Sequence, residues 1–383
     1  MGSIRFFMYF ILVFHVIISI QITCCQSRIC LPEKQAALFI FGDSQFDAGN
    51  NNYINTTTSA QANYDPYGET YFKYPTGRYS DGRVIPDFIA EFAKLPLLLP
   101  YLHPASSLDN YIFGVNFASA GSGALLETRQ GTAIDLKTQA SYFKQVSKVL
   151  KKKLGDGEAK EFLANAVYII AVGDNDYGVA LFSNSSTTVV NIQHPQEFVN
   201  LVIGNISSVI QDIYEEGGRK FGLLNVGPIN CYPIARIFMN GSSLDECQKQ
   251  EASAIARLHR RALPIMLQEL QKQLEGFKYS LTDYYGALTE VMRYPYKYGF
   301  KEGEAACCGG GSYRGDFSCG GKRGIKKYEL CENVNDFVYF DSVHHTDKAA
   351  QHFANLMWTG HNHFTRPYNL KQLFQFSSLH CAY

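Results

Sequence analysis

Apolar runs of strand length alternate with segments of helical period along this chain, and no other feature constrains its fold as much. The runs cover 36–41, 111–117, 166–172, 220–226, 279–283 and 337–340, and each is read as a strand. Between them Phe198, Val202, Ile206, Val209 and Ile213 recur at helical spacing, and Gly217-Gly218 closes that helix. Leu136, Ala140, Phe143, Leu150 and Leu154 repeat the pattern earlier. Strands joined through helices cannot be neighbours in an antiparallel meander. The expected fold is α/β, a mostly parallel sheet covered by helices on both faces as a three-layer sandwich. Reactive groups then belong at the carboxyl ends of the strands.

A chain of 383 residues is long for one domain but suits a single large α/β unit carrying insertions. Two stretches read as such insertions, 53–83, rich in Tyr, Gly, Pro and Asn, and 301–327, rich in Gly and Cys. Both are expected to border a substrate cleft. A long helix is expected from Leu244 to Leu274, kinked or split at Pro264. Lys151 to Lys153 is a solvated helix end. Basic and acidic residues balance at 35 each, so no long-range field recruits nucleic acid or an anionic membrane.

Residues 1–25 have the form of a secretory signal peptide. Arg5 supplies the positive end, Phe6 to Ile20 the apolar run, and Thr23 and Cys25 the small residues of a cleavage site. The competing reading is an uncleaved membrane anchor. Removal of the leader would leave residues 26–383 as one domain with no stable membrane span, either secreted to the apoplast or retained in an endomembrane compartment. Eight cysteines would remain: Cys30, Cys231, Cys247, Cys307, Cys308, Cys319, Cys331 and Cys381. An even number in an exported chain points to disulfides, and without a C-x-x-C pair or nearby histidines a metal is not expected. Spacing does not determine the pairing; Cys231 with Cys247 is one local possibility. The sequons at Asn55, Asn184, Asn205 and Asn240 agree with the same route as glycosylation sites.

Three motifs fall at ends of the expected strands. Gly42-Asp43-Ser44 follows the first, Gly173-Asp174-Asn175-Asp176 the third, and Asp341-Ser342-Val343-His344 the last. A serine hydroxyl becomes a nucleophile when an imidazole accepts its proton, and the imidazole needs an acceptor on its other nitrogen. Ser44, His344 and Asp341 can supply these three groups, and the three-residue spacing favours His344 over His345. Ser44 or Asp43 could instead cap a following helix. Asp47 and Asn50 are read as loop-shaping residues. The G-x-S-x-G of α/β-hydrolases does not occur, and His361 and His363 are read as surface histidines, not a metal pair.

Taken in order, these blocks resemble the plant GDSL-type esterases and lipases of the SGNH-hydrolase family. The resemblance rests on 41–52, on Gly114 to Gly123, on 173–176 and on 341–344, with further similarity at 218–222 and at Ala306-Cys307-Cys308-Gly309. It implies the flavodoxin-like SGNH architecture, Ser44 as nucleophile, His344 as base and then acid, and Asp341 as the orienting carboxylate. It also implies an oxyanion hole from the backbone N–H groups of Ser44 and Gly121 and the side-chain amide of Asn175. Gly121 and Asn175 alternatively serve only to form turns. The implied activity is hydrolysis of small-molecule or lipid acyl esters without a cofactor. The alternative is an acyltransferase using the same acyl-enzyme. Some members of the plant branch that continues as Asn50-Asn51-Asn52-Tyr53 act in pathogen defence.

Overall fold

The computed structural model describes residues 36–182, 194–238, 243–249, 253–361 and 363–376. The expectations for residues 1–25, Cys30, Cys381 and the sequons at Asn184 and Asn240 lie outside those residues.

Strands β1 (Leu38–Gly42), β2 (Gly114–Asn116), β3 (Val167–Ala171), β4 (Lys220–Leu224) and β5 (Lys278–Thr282) pair in parallel in the order β5-β4-β3-β1-β2. Side chains alternate across the pleat, and both faces are covered. On one face Phe39, Tyr168 and Phe221 stand in register and stack at 5.4 Å per step, with Phe277 5.0 Å beyond. Helices Leu136–Leu154, Pro195–Glu215 and Ser253–Gln273 close over this row of rings. On the other face Leu38, Ile40, Val167 and Ile169 pack under Ile85–Phe92, Tyr284–Arg293 and Asp347–Thr359. Each fully buried large side chain contributes about 1.5–3 kcal/mol relative to exposure, so the sheet forms a rigid base. The architecture is the expected three-layer α/β sandwich.

Five details differ from expectation. The run 337–340 does form a strand, β9 (Phe337–Tyr339), but it pairs with β6 (Glu302–Ala306) outside the central sheet. The free edge of β5 is taken by β10 (Thr365–Pro367), which among the described residues is the one antiparallel strand of the central sheet. In 111–117 only Gly114–Asn116 is strand, because the backbone before it is committed to a helical turn through Tyr111 N–H to Ser107 O and Phe113 N–H to Asn110 O. In 244–274 the helices are Leu244–Lys249 and Ser253–Gln273, and Pro264 lies inside the second without ending it. A proline there removes one donor, while Leu263, Leu267 and Leu270 keep the buried face continuous. Finally, 301–327 is less irregular than expected, since it holds β6 and β7 (Cys308–Gly309), the latter paired with β8 (Glu329–Leu330).

Disulfides join Cys231 to Cys247, Cys307 to Cys331 and Cys308 to Cys319. Among the described residues no helix is long and apolar enough to cross a membrane, and no group of three His, Cys, Asp or Glu side chains could hold a metal.

Candidate active site

β1 ends in a turn that only glycine permits. Gly42 has φ +144°, and a Cβ there would lie 2.2 Å from the Ala171 carbonyl oxygen. Asp43 N–H still bonds to that carbonyl, and Phe46 and Asp47 N–H then both bond to Asp43 O, which curls the chain over the end of the sheet. Ser44 is held at the crest. The residues directly after it form a turn, headed by Gln45 N–H donating to Asp43 Oδ1 at 3.0 Å, and the short helix Asn50–Tyr53 is entered from Gly49, so Ser44 caps no helix.

The distant block arrives by a second local device. Asp341 Oδ1 accepts the backbone N–H of Val343 at 2.9 Å and of His344 at 2.8 Å, bending 341–344 into a tight turn. The turn brings His344 Nδ1 to 2.7 and 2.9 Å from the two carboxylate oxygens and Nε2 to 2.8 Å from Ser44 Oγ. Burial alone would raise the Asp341 pKa. His344, Arg323 and the Tyr67 hydroxyl outweigh it and hold the group well below the usual carboxylate range. An ionised Asp341 can only accept, so the imidazole proton sits on Nδ1 and Nε2 is free to accept from Ser44. His345 points the other way, onto the Tyr284 hydroxyl, and burial pushes it down to about 3.

Asn175 opens the helix Asp174–Phe182 at the end of β3. Its amide donates to Ser122 O at 3.1 Å, next in sequence to Gly121. Ser44 and Asn175 face a common cleft of about 150 Å³. Gly121, at φ +87°, lies beside this lining under Arg129, whose Cδ would be 2.9 Å from a Cβ on the glycine. The cleft's apolar wall is formed by Ile229, Ile234, Ala235, Phe238 and Val343. Neither insertion lines it, contrary to expectation. Both pack behind His344 and Asp341 instead: the Tyr79 ring lies tilted 4.4 Å from the His344 ring, and Tyr67 and Arg323 reach Asp341 from the rear.

Buried polar groups fasten these loops to one another. Asp47 accepts from Gly49, Asn50 and Ala120 N–H, and Asn50 donates to Asn116 O and Ala118 O, in keeping with their expected loop-shaping role. Several fasteners escaped sequence reasoning. Asp176 accepts from Ala124 and Leu125 N–H and from the Thr128 hydroxyl, and Asp174 accepts from Gly227 N–H and the Tyr232 hydroxyl. Gln139 bridges both backbone groups of Gly42 and reaches Ser122. The only hint of them in the sequence is that acids flank Asn175. Burial pushes Asp174 up to about 6, and burial followed by the nearby Asp174 pushes Asp43 well above its ordinary value. Of the two sequons within the described residues, Asn55 and Asn205 are both exposed.

The model of the GDSL-like lipase/acylhydrolase family matches residues 38–357. GDSL esterase/lipase 5 of Arabidopsis thaliana is 50% identical over 344 residues, covering 88% of this chain and 87% of that protein. GDSL esterase/lipase 1 of the same plant is 47% identical over 367 residues, 95% and 96% of the two chains. The GDSL lipase of Tanacetum cinerariifolium is 45% identical over 347 residues, 90% of each.

Proposed function

From the premise that this chain belongs to the GDSL-like lipase/acylhydrolase family and is an ester hydrolase, we propose that it cleaves acyl or lipid esters through an acyl-enzyme on Ser44. The observation that carries this reading is the unbroken run from Ser44 Oγ, through 2.8 Å to His344 Nε2 and from Nδ1 through 2.7 Å to Asp341.

His344 Nε2 takes the hydroxyl proton as Ser44 Oγ bonds the ester carbonyl carbon. The carbonyl oxygen becomes an oxyanion, stabilised by the N–H groups of Ser44 and Gly121 and the amide of Asn175. Collapse expels the alcohol, which leaves with the proton from His344. Water then gives a proton to the same nitrogen, attacks the acyl carbon and releases the acid, restoring Ser44. Asp341 remains ionised throughout and orients the ring. The apolar wall at 229–238 is suited to an acyl chain. Transfer to an alcohol would use the same groups, but the quoted relatives bear esterase and lipase names, and hydrolysis is the reading adopted.

Residues 1–25 are proposed as a cleaved leader and 26–383 as one secreted domain, with sugars on Asn55 and Asn205 and at the sequons Asn184 and Asn240. The three disulfides support an oxidising compartment. The test is a panel of aryl esters of graded acyl length, assayed with the mature protein and Ser44→Ala. Loss of turnover, together with fluorophosphonate labelling of the parent but not of the variant, is the expected result. Undiminished hydrolysis by Ser44→Ala would end the proposal.

A further inference from the structure

Behind the three groups of the proposed triad, the polar chain continues. Tyr67 Oη lies 2.5 Å from Asp341 Oδ2, and Arg323 Nη1 lies 2.6 Å from the same Tyr67 oxygen and 3.9 Å from the carboxylate. A guanidinium can only donate and a carboxylate can only accept, so the direction of every bond is determined. Arg323 donates to Tyr67, Tyr67 donates to Asp341 Oδ2, Asp341 accepts from His344 Nδ1, and His344 Nε2 accepts from Ser44. We infer that Tyr67 and Arg323 are positioning residues of the catalytic machinery, a rear charge and hydrogen-bond support that keeps Asp341 ionised and fixed in orientation.

Arg323 is not placed as an ordinary structural arginine would be. Its side chain is 0% exposed, and Asp341 is the one carboxylate paired with it among the described residues. It is caged by the rings of Phe317, Tyr67, Tyr79 and Tyr64 at 4.1–5.4 Å and donates once more to Gln61 O, while its Nε has no acceptor among the described residues. Desolvating a guanidinium is costly, and the nearby carboxylate is the proposed orienting acid.

The covalent frame supports the same inference. Cys308–Cys319 and Cys307–Cys331 close residues 319–331 at both ends onto two adjacent cysteines. Arg323 lies inside that ring. Cys307 N–H bonds to Tyr339 O and Cys308 N–H to Phe340 O, so the same disulfide hub grips the strand that leads into Asp341. Arginine and aspartate are thereby set at a common reference point.

The test is the pH profile of kcat/KM for Tyr67→Phe, Arg323→Gln and Arg323→Lys. The groups facing the chain are Tyr64, Tyr67 and Tyr79 from one insertion, Arg323 from the ring, Asp341 and His345 beside His344, and Asp47 near Tyr79. Burial pushes the three tyrosines upward and His345 down to about 3, out of the working range. Asp47, pushed up to about 6 by burial, and Asp174 are common to all variants. Removing the cation, or the hydroxyl proton that shares the carboxylate's charge, lowers the opposition to an imidazolium at His344, so the inactive protonated form persists to higher pH.

Tyr67→Phe and Arg323→Gln are expected to lower kcat about tenfold with little change in KM, and to move the acid limb up by about one pH unit. Arg323→Lys keeps the charge and should restore the limb. Acid limbs that superimpose on the parent, with any loss uniform across pH, would overturn the inference. So would a limb equally displaced in Arg323→Lys and Arg323→Gln. Tyr67→Phe keeps the ring's packing and decides the matter should the arginine variants fail to fold. The inference rests on the triad reading, whose own failure has a separate signature: Ser44→Ala would remain active.

Discussion

Ser44 Oγ and His344 Nε2 stand 2.8 Å apart although 300 positions separate them in the chain. The contact depends on two local turns, one leaving β1 and one preceding His344, each fixed by backbone hydrogen bonds to an aspartate: the Asp43 carbonyl oxygen and the Asp341 carboxylate.

Asn175→Ala should lower kcat by about 10²- to 10³-fold with KM little altered, because in its proposed role as an oxyanion donor it acts on charge present only in the tetrahedral state. Steady-state kinetics on one aryl ester checks this. A rise in KM with kcat intact would move Asn175 from the reaction to binding.

Gly121→Ala should destabilise the protein by about 1–2 kcal/mol, the cost of a left-handed backbone at an L-residue, and reduce kcat at least about tenfold by displacing the N–H. Its φ is +87°, and the nearest obstacle to a Cβ is the flexible Arg129 side chain. Adding Arg129→Ala should therefore not restore activity. Recovery in the double variant would show that the clash, not the backbone, was responsible.

His345 is buried and held neutral, its pKa pushed down to about 3. The unfolded chain therefore takes up a proton at this site first, and the stability contributed by the neutral ring is lost as pH falls from about 6.5 toward the folded value. Between pH 7.5 and 4.5 the parent should lose about 2–3 kcal/mol relative to His345→Gln, which has no such proton. Urea unfolding of both proteins at the two pH values measures the difference. A gap that does not change with pH would refute it.

Replacing Cys308 and Cys319 with serine opens one side of the ring around Arg323. The disulfide closes a sequence separation of 11. Chain entropy sets its contribution at about 3 kcal/mol. Thermal unfolding should report that loss. Activity in the still-folded fraction should fall as well, because the arginine is no longer held at the rear of Asp341.

Much of this is legible in the sequence. The five parallel strands announced themselves as apolar runs, and Ser44, Asp341 and His344 lie in short strings whose spacing makes local turns. β10 could not be read in the same way, since Thr365-Arg366-Pro367 has no strand pattern and its place is set by the vacant edge of β5. Tyr67 and Arg323 were invisible for a different reason. One tyrosine among 25 carries no mark, and its arginine lies 256 residues away, so only tertiary folding makes them neighbours. The cleft wall at 229–238 has no irregular, glycine-rich composition; the two stretches that do have it pack behind His344 and Asp341.

That division of labour has an evolutionary corollary. The segment proposed to meet the acyl group is anchored by Cys231–Cys247, and the separate segment that carries Arg323 behind Asp341 by Cys307–Cys331 and Cys308–Cys319. Substrate range can therefore drift through changes between Ile229 and Phe238 while the engine behind it is inherited unaltered.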